Sequence, residues 1–186
     1  MILLVADIRP ACVADANAIA ALHGRSFLAT YPDLSKTIAT TTQGLSRRVA
    51  LWTDRLENPP PGCATFVAHE DLRIHGFVFV GPSGDEDHKD HGISQVFSIH
   101  VDPSRWGGGI GKRLLDHALG FLQSCGFKEA TLWVVASNDR ARQFYEALGW
   151  HLDGMQRKEI LAVEGPDGDE VEVFRYRLEL NARGEQ

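Results

Sequence analysis

The stretch "DPSRWGGGIGKRLL", residues 102–115, decides how this chain folds. Four of the five positions from Gly107 to Gly111 are glycine. Each glycine costs a helix about 1 kcal/mol relative to alanine, yet a strongly helical pattern begins inside the run. In "GIGKRLLDHALGFLQSCG", Ile110, Leu114, Ala118 and Leu122 form one stripe, with Leu115 and Leu119 beside it and Gly126 at the stop. The first turn of a helix carries N–H groups without partners and the positive end of the helix dipole. Glycine removes the side chains that would keep a bulky anion from those donors, and it permits the turn. Residues 107–111 therefore read as a pyrophosphate cradle, with a flexible strand-to-helix turn as the plainer alternative.

Two better-known phosphate patterns do not fit. A Walker loop ending at Gly111-Lys112 needs glycine at Trp106 and Ser or Thr at Arg113. No G-x-G-x-x-G in this stretch has the required order of strand, helix and acidic residue.

Outward from the glycines, "ISQVFSIHV" precedes them as a strand and "EATLWVV" follows the helix as another. "NDRARQFYEALG" is a helix with Ala141, Phe144, Tyr145 and Leu148 inward. "MQRKEILAVEGPDGDEVEVFRYRLEL" reads as two strands around "GPDGDE". Towards the N-terminus, "LLVADIRPA" is a strand. Asp15 is placed to cap a helix carrying Ile19, Leu22 and Phe27. A second helix places Leu45, Val49, Trp52 and Leu56 on one side until "NPPPG" stops it. "CATFVAHE" and "RIHGFVFVG", split by Asp71-Leu72, make a hairpin. The order is strand, two helices, three strands, helix, strand, helix, two strands. That is one α/β domain with a mixed sheet, residues 1–180, followed by a frayed tail at 181–186.

A chain of 186 residues buries about 70% of its unfolded surface and needs no staples. The formal net charge of −6 argues against a nucleic-acid partner. Cys12, Cys63 and Cys125 are isolated, which points to a reduced cytoplasmic protein without structural zinc. Neither a signal peptide nor a membrane span is expected.

The segments "VFSIHVDPSRWGGGIGKRLLDHAL" and "TLWVVASNDRARQFYEALGW", with the element order, resemble the acetyl-CoA core of the GNAT N-acetyltransferase superfamily. The resemblance implies a central twisted mixed β-sheet flanked by helices, and acetyl-CoA as co-substrate without a metal. The signature Q/R-x-x-G-x-G/A falls on Trp106, Gly109 and Gly111, so Trp106 departs from the usual Gln or Arg. By the same resemblance, Gly107, Gly108, Gly109, Ile110, Gly111 and Lys112 hold the pyrophosphate. The backbone at Ile99 and Val101 bonds the pantetheine and the thioester oxygen. Asn138 bonds the pantetheine arm, and Tyr145 is the general acid. Tyr145 also reads as a core aromatic, and Asn138 as a helix cap.

Gln95 stands where relatives often carry glutamate, and an amide takes no proton at neutral pH. His100 is the nearest alternative base, but strict alternation turns it away from Gln95 unless a bulge intervenes. Tyr31 and Asp33, in "TYPDL", are candidates to line the acceptor entrance. His88 and His91 in "DEDHKDH" suggest metal ligands, but the charge and glycines around them read as a solvated loop. Cys125 lacks a helix N-terminus that would activate its thiol, which favours direct transfer over an acyl-enzyme. The expected acceptor is a small-molecule or peptide amine, and the chain is a possible homodimer. The competing reading is a non-catalytic acyl-CoA-binding or sensing module, for which the missing carboxylate at Gln95 is the supporting feature.

Overall fold

A seven-stranded sheet runs in the order β1-β2-β3-β4-β5-β7-β6 through the computed structural model, which describes residues 6–32, 42–89, 92–161 and 169–180. The strands are β1 (Asp7–Pro10), β2 (Ala64–Glu70), β3 (Arg73–Pro82), β4 (Ile93–Val101), β5 (Glu129–Val135), β6 (His151–Leu161) and β7 (Asp169–Glu179). Every neighbouring pair is antiparallel except β4 and β5, which are parallel. This is the mixed α/β architecture that the element order implies.

Helices α1 (Ala16–Thr30) and α2 (Thr42–Glu57) cover one face, and α3 (Ile110–Ser124) covers the other, with α4 (Asp139–Ala147) following β5. The alternation of β3 divides the core. Phe77 and Phe79 pack with Ile19, Leu22 and Trp52 under α1 and α2. Val78 and Val80 pack with Leu114, Leu115, Ala118 and Leu122 of α3. The α3 stripe read from the sequence is buried throughout.

Glycine ends both downstream helices where the left-handed conformation is needed: Gly126 has φ 91° and Gly149 φ 88°. The hairpin turn falls at Asp71-Leu72, between β2 and β3, with Asp71 at φ 53°.

Three readings need correction. Asp15 occupies the N-cap position of α1 but gives that helix no hydrogen bond. Its carboxylate accepts from the Cys12 N–H at 2.8 Å and from Arg9 at 2.7 and 2.9 Å, which holds its pKa below the usual range. Leu45 is exposed, and the buried side of α2 contains Arg48 instead. The Arg48 guanidinium bonds the Ala20 carbonyl at 3.2 Å. Gly24 makes room for it, since a Cβ there would lie 2.9 Å from Arg48 Nη2.

The third correction concerns the charged loop before β4. Asp85 and His88 are buried, because Arg175 of β7 reaches under the loop. Its guanidinium bonds Asp85 at 3.2 Å, Asp87 at 2.8 and 2.6 Å, and Asp153 at 2.6 Å. Asp85, Asp87 and His88 bring potential ligand atoms within 4.8 Å of one another, but Arg175 already supplies the cation. His91, Asp33, the turn at 165–168 and the tail at 181–186 lie outside the described residues.

Candidate active site

The site begins where the sheet stops being continuous. β4 and β5 pair only at Ile93↔Glu129, Ser94↔Ala130 and Gln95↔Thr131. Beyond that point the strands part. Val96–Val101 of β4 and Leu132–Val135 of β5 line a cleft of about 900 Å³. Polar backbone on the parted strands is available to a ligand, because the ladder that would satisfy it is missing.

At one end of the cleft is the glycine turn. Gly107 and Gly109 have φ 76° and 79°, the left-handed region that favours glycine. A Cβ on either would meet nothing within 4 Å, so space opens directly above the turn. Gly109 is the N-cap of α3, and Arg113 N–H bonds its carbonyl at 3.1 Å. The N–H groups of Gly109, Ile110, Gly111 and Lys112 have no partner among the described residues. Gly111 lies lower, with Phe144 Cζ at an ordinary 3.5 Å from its notional Cβ. The turn thus fits an anion in shape and in donor set.

Trp106 has a structural job. Its indole N–H bonds the Val101 carbonyl at 2.9 Å, tying the turn to the end of β4. The Arg140 guanidinium lies 3.4 Å from the centre of the Trp106 ring. Burial lowers the Arg140 pKa. Arg140 sits in the first turn of α4, where the helix dipole disfavours a cation. The Trp106 ring faces this cation, and the sequence alone did not single Arg140 out.

Asn138 caps α4: its Oδ1 accepts from Ala141 N–H at 3.1 Å. Its Nδ2 donates to Tyr31 Oη at 3.0 Å. Tyr31 ends α1, so this bond links the two sides of the cleft. Tyr145 lines the cleft while remaining almost buried, packed against Phe144 and Trp150. Burial, reinforced by nearby Tyr31, raises its pKa, so the phenol stays protonated. The core-aromatic and cleft-lining descriptions of Tyr145 are both accurate.

On the α1/α2 face, β4 contains a bulge. Val80 pairs with Val96 but Phe79 with Ser98, leaving Phe97 as the extra residue. The bulge shifts the alternation, so Gln95 (opposite Gly81) and His100 (opposite Phe77) share one face. The bulge is the exception to strict alternation that brings His100 to the side of Gln95, and both residues line the cleft. His100 stacks on Phe77 with centroids 5.1 Å apart, and its Nδ1 lies 3.2 Å from Ser26 Oγ. Burial lowers its pKa to about 4, leaving the ring neutral.

Gln95 Oε1 accepts from Ser83 Oγ at 3.2 Å. Ser83 Oγ in turn contacts His88 Nδ1 at 2.8 Å. A donating hydroxyl fixes the Gln95 amide and leaves its N–H groups as donors. The rest of this end is aromatic and cationic: Trp52, Phe79, Phe97 and Trp133, with Arg55 and Arg157. Composition alone did not single these out.

The model of the acetyltransferase (GNAT) family matches residues 23–150. A mycothiol acetyltransferase from Thermobispora bispora is 31% identical over 148 residues, which is 77% of this chain and 46% of the relative. The chain spans between 20% and 46% of the length of such curated relatives. An N-acetyltransferase from Staphylococcus aureus Mu50 superposes with a TM-score of 0.70 at 22% identity, covering 95% of this chain and 99% of that one. The PaiA N-acetyltransferase from Thermoplasma acidophilum, in complex with coenzyme A, gives a TM-score of 0.68 at 16% identity, covering 93% and 98%. The family model covers more than half of the chain, and the chain belongs to the GNAT acetyltransferase family.

Proposed function

We propose that this chain is an acetyl-CoA-dependent N-acetyltransferase that moves an acetyl group directly to an amine. The observation that carries the reading is the row of N–H groups at the glycine turn that have no partner among the described residues, at the foot of the gap between β4 and β5. PaiA bound to coenzyme A supports the choice of cofactor. Relatives named mycothiol acetyltransferase support a small-molecule acceptor.

In this reading Gly107, Gly108, Gly109, Ile110, Gly111 and Lys112 receive the pyrophosphate. Trp106 holds the turn in place. Backbone at Ile99 and Val101 receives the pantetheine and polarises the thioester carbonyl. Such donors contribute about 10²–10³-fold when they meet the developing oxyanion. Val101 O already accepts from Trp106, so its N–H is the group left to donate. Asn138 Nδ2 keeps one hydrogen for the pantetheine amide beside its bond to Tyr31.

The amine nitrogen attacks the thioester carbon, the C–S bond breaks, and the amine loses a proton. The leaving thiolate takes a proton from Tyr145, whose phenol burial keeps loaded. Gln95, anchored by Ser83, orients the acceptor and does not deprotonate it. The amine enters as its free base, the proton that its nitrogen sheds after attack passes to water, and water reloads the Tyr145 phenolate. No cysteine lines the cleft among the described residues, and burial raises the Cys63 thiol, which favours direct transfer over a cysteine acyl-enzyme.

The test is free-thiol release from acetyl-CoA with a mixed panel of amines, matched to acetylated product by mass spectrometry. Thiol and product in equal amounts are expected. Acetyl-CoA binding without release with any amine would instead support the acyl-CoA-binding module.

A further inference from the structure

Arg55 of α2 has no ion-pair or hydrogen-bond partner among the described residues, although it is half-buried in the cleft. Its guanidinium carbon lies 4.4 Å from the centre of the Phe79 ring and 4.9 Å from that of Trp52. The two rings fix its planar head on the same sheet face as Gln95 and Phe97. Burial lowers its pKa, and the attraction of Cys63 and Asp54 does not reverse the effect. A desolvated guanidinium is costly unless a partner arrives, and its fork of donors matches an oxyanion.

The other charges nearby are already engaged. Arg157 bonds Asp85 at 3.0 Å and Glu159 at 2.6 Å. Glu159 is the one carboxylate among the described residues that line the cleft, and Arg157 neutralises it. A site built for a polyamine or another polycation would need unpaired carboxylates here. This end offers one free guanidinium and aromatic faces.

We infer that the acceptor is an amine that also carries an oxyanion, a carboxylate or a phosphate, and that Arg55 is the residue that binds it. The inference rests on the acetyltransferase reading and narrows its substrate class. Arg55 positions the amine through the anion beside it and takes no part in proton transfer. The aromatic faces favour an amine with a flat apolar portion.

The experiment compares acetyl transfer to phenylalanine, phenylalaninamide, 2-phenylethylamine, phosphoethanolamine and spermidine, with rates expressed per free base. Phenylalanine should surpass its amide and 2-phenylethylamine in kcat/KM. Phosphoethanolamine against phenylalanine separates the phosphate source from the carboxylate. Arg55→Met keeps the apolar stem and should raise KM for the anionic amines by about 10- to 100-fold, with kcat and the neutral amines little changed. Arg55→Lys should recover part of the loss. Equal losses on neutral and anionic amines in Arg55→Met, or wild-type preference for spermidine, would overturn the inference. It would leave the acetyltransferase reading standing.

If no amine turns over, that reading fails instead. Calorimetry of N-acetylphenylalanine against N-acetylphenylalaninamide, with coenzyme A present, then decides the Arg55 site separately. Tighter binding of the acid, lost in Arg55→Met, supports the site. Equal binding overturns it.

Discussion

Gln95 and His100 share one face of β4 because Phe97 adds a residue between them. Both line the cleft, yet neither is a ready base near neutrality. Gln95 is an amide fixed by Ser83, and burial holds the His100 imidazole at about 4.

Turnover on an alkylamine should therefore rise with pH as the free-base fraction grows. His100→Gln should leave the shape of that profile unchanged. Gln95→Glu should raise the rate near neutrality and add an acid limb, with kcat and KM measured separately because the new charge also attracts a cation. A wild-type plateau with an apparent pKa of about 6–7 that vanishes in His100→Gln would make His100 the base.

His100 also links stability to pH. Its pKa falls from the ordinary 6.5 to about 4 on folding, and burial pushes neighbouring His23 down as well. The unfolded chain then binds protons that the native state refuses. Stability should be full above pH 6.5 and decline as pH falls towards 4, by up to about 1.4 kcal/mol per pH unit for each histidine. Urea titrations across this range should show a slope smaller by up to one proton in His100→Gln. An unchanged slope would contradict the buried neutral state.

Tyr145→Phe removes a hydroxyl that has no hydrogen-bond partner among the described residues, so the fold should survive. If the phenol protonates the thiolate, kcat should fall about 10²-fold with acetyl-CoA affinity unchanged. The check is single-turnover kinetics, where chemistry limits the rate. An unaltered rate would leave Tyr145 as a packing residue only.

Arg175→Met leaves Asp85, Asp87 and Asp153 facing one another without their shared cation. Breaking a buried pair in this way costs about 3–5 kcal/mol. Thermal melts at neutral pH should show the loss. Asp87, which Arg175 holds at about 2, stabilises the native state above its ordinary 3.8, and that contribution disappears as pH falls towards 2. The gap between variant and wild type should therefore narrow in acid. A variant with wild-type stability would mean that the loop before β4 is held by other contacts.

The periodic elements were legible because burial imposes a period. Ile110, Leu114, Ala118 and Leu122 repeat as a helix must, and Phe77 and Phe79 alternate as a strand must. The glycine turn was legible because its residues serve no helix. The position of His100 was not, since a single extra residue inverts the face of everything after it and Phe97 looks like any strand residue. Arg48 and Arg175 were missed for a different reason. Their burial depends on partners 28 and 88 residues away, the Ala20 carbonyl and Asp87, and pattern alone does not reveal such pairings. Arg55 falls between these cases: its i,i+3 spacing from Trp52 was visible, but the ring of Phe79 comes from another element.

The central claim is that the glycine turn receives the pyrophosphate of acetyl-CoA. Calorimetric titration of acetyl-CoA into wild type, Gly109→Ala and Gly109→Glu tests it most directly. Both variants carry the backbone strain of a side chain at φ 79°, but only glutamate sets a carboxylate in the open space above the turn. With folding confirmed by circular dichroism, Gly109→Ala should bind with a modest loss. Gly109→Glu should weaken binding by at least about 100-fold, since several charge-assisted N–H bonds are lost together. A folded Gly109→Glu protein that binds acetyl-CoA as tightly as wild type would contradict the account.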